Sequence, residues 1–257
     1  RILPIFLGLS ISTLMKKNKL TVFLFLIFLF SEALIFLSGD RAAFFFTNLS
    51  AVFIILFSQK LIKFKLSILF SCILLLVLVS FINPKAYERV VDQSLKEMNL
   101  LTNKDDKKDN QIIIFTRAHN DIYISAYKMF LDNKIMGVGV RNFRNICKDS
   151  RYYVRGKEIC YTHPHNTYLQ ILVETGIIGF LFLFSALIYV FFTALKQFKC
   201  MIFNQKRFLT DYQVCLLAGI FITIWPLTPN GNFFNNWLMI LYSLPVGFYL
   251  QSIYSKK

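Results

Sequence analysis

Thr162-His163-Pro164-His165-Asn166-Thr167-Tyr168-Leu169-Gln170-Ile171-Leu172-Val173-Glu174-Thr175-Gly176-Ile177-Ile178-Gly179-Phe180 opens an apolar run that continues to Leu195. A spanning helix needs about 20 mostly apolar residues. The run from Tyr168 to Leu195 exceeds that, so it predicts a membrane helix that tilts or begins as an interfacial turn. Two imidazoles and an amide stand just before it, and one carboxylate, Glu174, lies a little over two turns beyond His165. An imidazole with an ordinary pKa of about 6.5 is a proton acceptor near neutral pH, which makes a histidine here a candidate base, although a lone histidine at a span end is more often an interfacial, hydrogen-bonded residue.

Working outward, six further apolar stretches lie roughly over residues 2–15, 20–37, 42–58, 66–82, 212–229 and 237–254. Hydrophobic residues make up 56% of the 257, and Phe alone accounts for 29 of them, a composition outside the soluble range. Irregular backbone cannot face lipid, so the stretches are expected to be helices. The expected fold class is an all-α polytopic membrane protein. Its parts are transmembrane helices over 1–82, an insert over 83–167 and three C-terminal transmembrane helices over 168–257. Arg1 stands where a start methionine would, so we expect upstream sequence, and with it part of the first span, to be missing.

Charge orients the bundle. Lys16, Lys17 and Lys19, then Lys60, Lys63 and Lys65, then Lys196, Lys199, Lys206 and Arg207, and finally Lys256 and Lys257 occupy alternate connections. The remaining short connections, Ser38-Gly39-Asp40-Arg41 and 230–236, carry one basic residue between them. By the positive-inside rule the basic set is cytoplasmic, which puts the long insert outside. The net charge of +15 invites a nucleic-acid partner. Its placement beside apolar runs and in one polar insert points instead to lipid phosphate or a phosphorylated lipid, with no nucleic acid.

Within the insert, residues 83–110 are charged and read as solvated. Ile114, Ala118, Ile122, Ser125, Ala126, Met129 and Phe130 recur at helical spacing, which predicts an amphipathic helix over Ile112–Asn133, on the membrane surface or capping the bundle. Gly137-Val138-Gly139 then breaks it before a short second element. Cys147 and Cys160 either close a disulfide, as an oxidising compartment allows, or are two free thiols. His163 and His165 lack Cys or carboxylate neighbours at metal-ligand spacing, so no metal is expected. Asn230, Asn232, Asn235 and Asn236 could bond sugar hydroxyls, though Asn-rich turns are common without ligands. His119 reads as a helix-surface residue.

The string His163-x-His165-Asn166-x-Tyr168-Leu169-Gln170-x3-Glu174-x-Gly176-x2-Gly179 resembles the signature of the O-antigen ligase and polymerase superfamily. Ser38-Gly39-Asp40-Arg41 resembles its SG-x-R element, with Asp40 in place of a small polar residue. Arg117 through Gly137-Val138-Gly139-Val140-Arg141-Asn142-Phe143 resembles its R-x4-W…GVG-x-NF region, Tyr123 lying near the usual aromatic. The likeness spans about the second half of the chain and implies a GT-C-like membrane glycosyltransferase of the bacterial inner membrane, multi-pass, with a helical periplasmic insert and its site facing the periplasm. It implies an inverting, metal-independent and cofactor-free transfer of a glycan from undecaprenyl pyrophosphate to a lipid A-core or related acceptor. His165 would be the catalytic residue, and Arg41 and Arg117 would hold the pyrophosphate, guanidinium suiting phosphate by its paired donors. His163 would be a partner of His165, Asn166 would orient it or cap the next helix, and Glu174 would be a positioning ion, paired with Arg41 or a backbone donor. Without the resemblance, Arg41 reads as an interfacial arginine reaching to headgroups, and Arg117 equally as a solvated helix-surface one. A polymerase that joins lipid-linked repeat units shares these motifs. A transporter of a charged lipid or solute is the alternative of another class, but it predicts mid-bilayer ions and paired broken spans. The spans hold almost no ions apart from Glu32 and Glu174.

Overall fold

The computed structural model describes residues 3, 4, 7, 8, 18–58, 65–97 and 116–254. The expected first span over 2–15 and the start of the insert helix at Ile112 fall largely outside them. Among the described residues the chain is mostly helical, with no strand and one isolated bridge between Val154 and Lys157. The elements are α1 (Asn18–Ser38), α2 (Arg41–Phe57), α3 (Lys65–Ile82), α4 (Pro84–Tyr87), a π-helical turn (Glu88–Asp92) and α5 (Gln93–Glu97). There follow α6 (Arg117–Asp132), α7 (Phe143–Ile146), α8 (Thr167–Ile202), α9 (Asp211–Thr223) and α10 (Asn236–Tyr254).

Among the described residues one helix, α8, is long and apolar enough to cross a membrane. The α3 segment Phe70–Ile82 and the stretch Pro84–Glu97 pass the same test together but bend by 115°. The bend has a local cause: Pro84 cannot donate to the preceding turn, and the Asn83 side chain caps the new helix on the Ala86 N–H. Shorter apolar helices lie over Leu26–Ser38, Arg41–Phe57 and Asp211–Thr223.

The chain divides into two compact units. The first comprises Arg1–Val90, Ile188–Thr223 and Ile240–Lys257, and the second Val91–Leu187 and Ile224–Met239. In the first unit α1 packs on α2 and α3, and α2 packs on α9. Aromatic contacts supply much of this, with Phe36 on Phe44 at 5.4 Å and Phe53 on Phe221 at 4.9 Å between ring centres. Buried polar groups are matched across helices. Asn48 donates to Glu32 at 2.5 Å, and Ser58 donates to Asp211, which also holds Arg207 at 2.7 Å. The buried Gln197 donates to the carbonyl of Phe57 and accepts from the N–H of Leu209.

The second unit has its own core of Ile122, Ala126, Met129, Phe143, Cys147, Tyr152 and Val173. Its α6 starts at Arg117 because the Thr116 hydroxyl accepts the His119 N–H as an N-cap. Beyond α6 the chain meets a break in α8. Gly176 stands at φ +66 and ψ −164, which interrupts the helical ladder. The segment 134–139 fills the interruption with main-chain bonds: Val138 N–H to Val173 O at 2.8 Å, Gly139 N–H to Glu174 O at 3.0 Å, and Ile177 N–H to Lys134 O at 2.9 Å. Two glycines permit the approach. A Cβ on Gly137 would sit 2.5 Å from the carbonyl oxygen of Val173, and one on Gly176 would strike the carbonyl of Ile135.

Gly176→Ala and Gly137→Ala therefore combine a left-handed backbone with an unrelievable main-chain clash, and each is expected to destabilise the second unit by about 3 kcal/mol or more. Gly247→Ala, where a Cβ meets nothing within 4 Å, is expected to be neutral. Thermal unfolding of the detergent-solubilised protein checks this; equal melting of all three would show that the crossing is not tight.

Candidate functional site

His165 adopts φ +56, a conformation that costs a non-glycine residue energy and that must be held by its surroundings. Asn230 holds it. The Asn230 N–H donates to the His165 carbonyl at 2.7 Å, and the Asn230 carbonyl lies 3.2 Å from Nε2 of His163. A carbonyl only accepts, so His163 carries its proton on Nε2, and its Nδ1 accepts from the Thr162 hydroxyl at 2.9 Å. Both nitrogens of His163 are thereby engaged.

The His165 ring is different. Among the described residues its nitrogens have no hydrogen-bond partner, and it is held by other rings. His163 lies 4.2 Å away at 48°, Tyr161 5.7 Å away at 76°, and His119 5.6 Å away and perpendicular. Burial pushes both His163 and His165 below the usual imidazole pKa, and for His163 the neighbouring His165 adds to the shift. Both rings are thus neutral at neutral pH, and the one without a partner can accept a proton.

The residues that follow tie the start of α8 to the segment 224–236. Asn166 accepts from the N–H groups of Tyr168 and Leu169, which makes it the helix cap, and its Nδ2 donates to Pro226 O at 2.8 Å. The Tyr168 hydroxyl donates to Ile224 O. Gln170, fully buried, donates to Asn232 and accepts from the Phe233 N–H. Glu174 sits one turn on, accepting from Gln170 at 3.3 Å and from the main-chain N–H of Phe143 at 3.4 Å. Of the partners expected for it, the backbone donor is the one present. Arg141, left-handed at φ +61, donates to the Phe234 carbonyl and to Asn236 Oδ1. The Oδ1 atoms of Asn232, Asn235 and Asn236 accept from protein groups, Asn235 capping α10 through the Trp237 N–H, while Asn235 and Asn236 themselves stand exposed.

Arg117 stands exposed at the first position of α6, two residues before His119. Cys147 and Cys160 are joined, with Cα atoms 5.2 Å apart, which ties α7 to the strand of chain entering His163. Arg41 belongs to the first unit, half-buried at the start of α2. Asp40 beside it is the N-cap, accepting the Ala43 N–H at 3.0 Å, which accounts for an acid at that place. Among the described residues no three His, Cys, Asp or Glu side chains converge as a metal site.

The expectation for His119 is corrected by the structure: it faces His165 instead of lying on an open helix surface. Its ring nitrogen Nδ1 lies 2.8 Å from the Thr116 hydroxyl, which fixes the ring. Helical periodicity alone does not reveal this, because the contact joins residues 46 apart, as their numbers 119 and 165 show. Arg141, Gln170 and Asn230 are likewise positioned by contacts that only folding creates.

With this geometry in place, comparison assigns the class. Residues 23–184 match the O-antigen ligase family; that is more than half of the chain, and the protein belongs to this family of membrane proteins. No curated protein and no solved structure matches it.

Two expectations follow. Because the folded-state pKa values of His163 and His165 lie below the ordinary value of about 6.5, the unfolded chain binds more protons as the pH falls through that value. Stability is complete above about pH 6.5 and declines below it until the folded-state values are passed. Melting at pH 7.5 and 5.5 should show the drop, and it should shrink in a His163→Gln/His165→Gln double variant. An unchanged drop would show that these imidazoles are not held neutral. Second, diethyl pyrocarbonate modification of His165, mapped by mass spectrometry, should quicken severalfold in His119→Ala and stay near the parental rate in His119→Phe, because a ring at 119 shields it.

Proposed function

We propose that the protein is a ligase-type glycosyltransferase that moves a glycan from undecaprenyl pyrophosphate to a lipid A-core or related acceptor at the periplasmic face of the inner membrane. One observation carries the chemistry: a neutral imidazole, His165, with no hydrogen bond to the described residues, fixed in a left-handed backbone by Asn230. The family assignment supplies the class of reaction, a ligase or polymerase acting in cell-surface polysaccharide synthesis.

In the proposed step His165 takes the proton of an acceptor hydroxyl as that oxygen bonds to the anomeric carbon of the donor. The bond from that carbon to the phosphate oxygen breaks with inversion, and undecaprenyl diphosphate leaves with the electron pair. The proton then passes from His165 to water. Arg41 and Arg117 bind the diphosphate and stabilise its growing charge, a role that planar guanidinium serves without a metal. His163, with both nitrogens engaged, positions His165. Glu174 and Gln170 position the chain around it. The fold we infer is a polytopic, GT-C-like bundle, with the basic connections cytoplasmic and the insert outside.

Polymerisation of lipid-linked repeat units would use the same groups, and the acceptor separates the two. Complementation of a ligase-null strain by the full-length protein, beside His165→Ala and Arg41→Ala at matched expression, tests the proposal. The parent is expected to restore polymer-bearing lipopolysaccharide, His165→Ala to lose it by at least about a hundredfold, the usual contribution of general-base catalysis, and Arg41→Ala to lose it through the missing contact to the diphosphate. Polymer restored equally by His165→Ala would end the proposed mechanism. In a deletion strain, lipid-linked polymer that accumulates unattached marks a ligase, and a single attached repeat marks a polymerase.

A further inference from the structure

The second unit carries an apolar surface that its own core does not use. On α6 the buried face is Ile122, Ser125, Ala126 and Met129. A second face, Ile124, Tyr127 and Leu131, points outward. The loop after α6 continues it, with Ile135 at 66%, Met136 at 72% and Val140 at 53% exposure. From 135 to 140 the chain reads Ile-Met-Gly-Val-Gly-Val, without a charge, inside an insert that is otherwise rich in Lys, Arg and Asp. Soluble surfaces rarely present such contiguous apolar patches without a partner.

The main-chain bonds at Gly176 determine what lies beside this loop. Ile177 donates to Lys134 O, so Ile135 and Met136 are level with the turn of α8 that begins at Ile177. That turn opens the uncharged part of α8. Residues 177–195 contain no Asp, Glu, Lys or Arg, and Lys196 ends them. Nineteen residues at about 1.5 Å each span about 28 Å, close to the roughly 30 Å hydrocarbon layer. Ile177 therefore marks the level at which α8 leaves the hydrocarbon. Ile178, Leu181 and Phe182 of the same helix are exposed as well, Phe182 at 76%, so apolar side chains are presented both on the helix and on the loop bonded to it at Ile177.

We propose that the loop 134–140 and the outward face of α6 are seated in the bilayer at its hydrocarbon edge, with lipid as their partner. The break in α8 then lies at that edge, where an unpaired N–H or carbonyl finds little water. The loop closes it with three main-chain bonds and covers it with Ile135 and Met136. Lys134, exposed beside them, reaches outward to lipid phosphate. Anchoring α6 in this way holds the helix that bears Arg117 and His119 at a constant depth. The placement rests on the membrane character of α8 and not on the glycosyl-transfer chemistry.

Spin labelling of the full chain tests it. Cys72 and Cys200 are replaced by serine, the Cys147–Cys160 bond and the fully buried Cys215 are kept, and single cysteines are introduced as Met136→Cys and Tyr127→Cys. Phe182→Cys provides a lipid-facing reference and Lys148→Cys, on the insert, an aqueous one. In vesicles of phosphatidylethanolamine and phosphatidylglycerol, labels at 136 and 127 are expected to collide with oxygen in preference to a water-soluble nickel chelate, as at 182 and in the opposite sense to 148. Labels at 136 and 127 that both follow 148 would overturn the proposal. A label at 182 that also followed 148 would instead remove the membrane span on which it depends. Melting of each labelled variant within the range of the unlabelled protein confirms that the fold is being read.

Discussion

The second unit is organised by a main-chain crossing, the three hydrogen bonds that dock residues 134–139 on the break of α8 at Gly176. A helix interrupted in mid-course leaves donors and acceptors that must be met by some other backbone. Here they are met by a loop that can come close because neither Gly137 nor Gly176 has a side chain. The consequences run in both directions along the chain. Upstream, the crossing sets where α6 ends and hence where His119 reaches. Downstream, it places the Phe143 N–H over Glu174, a buried carboxylate that accepts from Gln170 as well.

A second set of contacts converges on Asn230. The side chains of Asn166, Tyr168 and Gln170 all reach the segment 224–233. With the segment so held, the single backbone unit of Asn230 bonds both histidines, one through its carbonyl and one through its N–H. The polar residues after the histidines thus act on His165 indirectly, by fixing the segment that fixes it. Among the described residues no carboxylate bonds His165, whose ring is held by ring packing and a constrained backbone. Burial disfavours its protonated form and so keeps the ring neutral.

Polar matching in the first unit follows the same economy. The buried Glu32, Ser58, Asp211 and Gln197 find partners on other elements: Glu32 with the half-buried Asn48, Ser58 with Asp211, and Gln197 with the main chain of Phe57 and Leu209. Between apolar helices such pairs specify which faces meet, because a mismatch strands a polar group. The outward faces, by contrast, are apolar, with Phe30, Phe70, Phe81 and Phe192 more than half exposed. That inversion of the soluble pattern is what a lipid-facing helix requires.

Much of this protein is legible in its sequence. The apolar runs specify helices because in lipid each must satisfy its own backbone, and Asn83-Pro84, Asp40 and Thr116 act as punctuation through local rules of capping and dihedral restriction. The spacing of His165, Asn166, Gln170, Glu174 and Gly176 likewise marks a site, since these residues are close along the chain. What the sequence could not decide are the meetings of distant segments. That His119 closes on His165, that Asn230 holds both histidines, that Gln170 binds the 232–233 turn and that Gly137 crosses Gly176 all depend on long-range packing. Periodicity reports which face of an element is apolar and not which neighbour covers it, so His119 reads as a surface residue until α6 is docked. Only the tertiary structure chooses those partners, because it must match most buried donors and acceptors across distant segments at once.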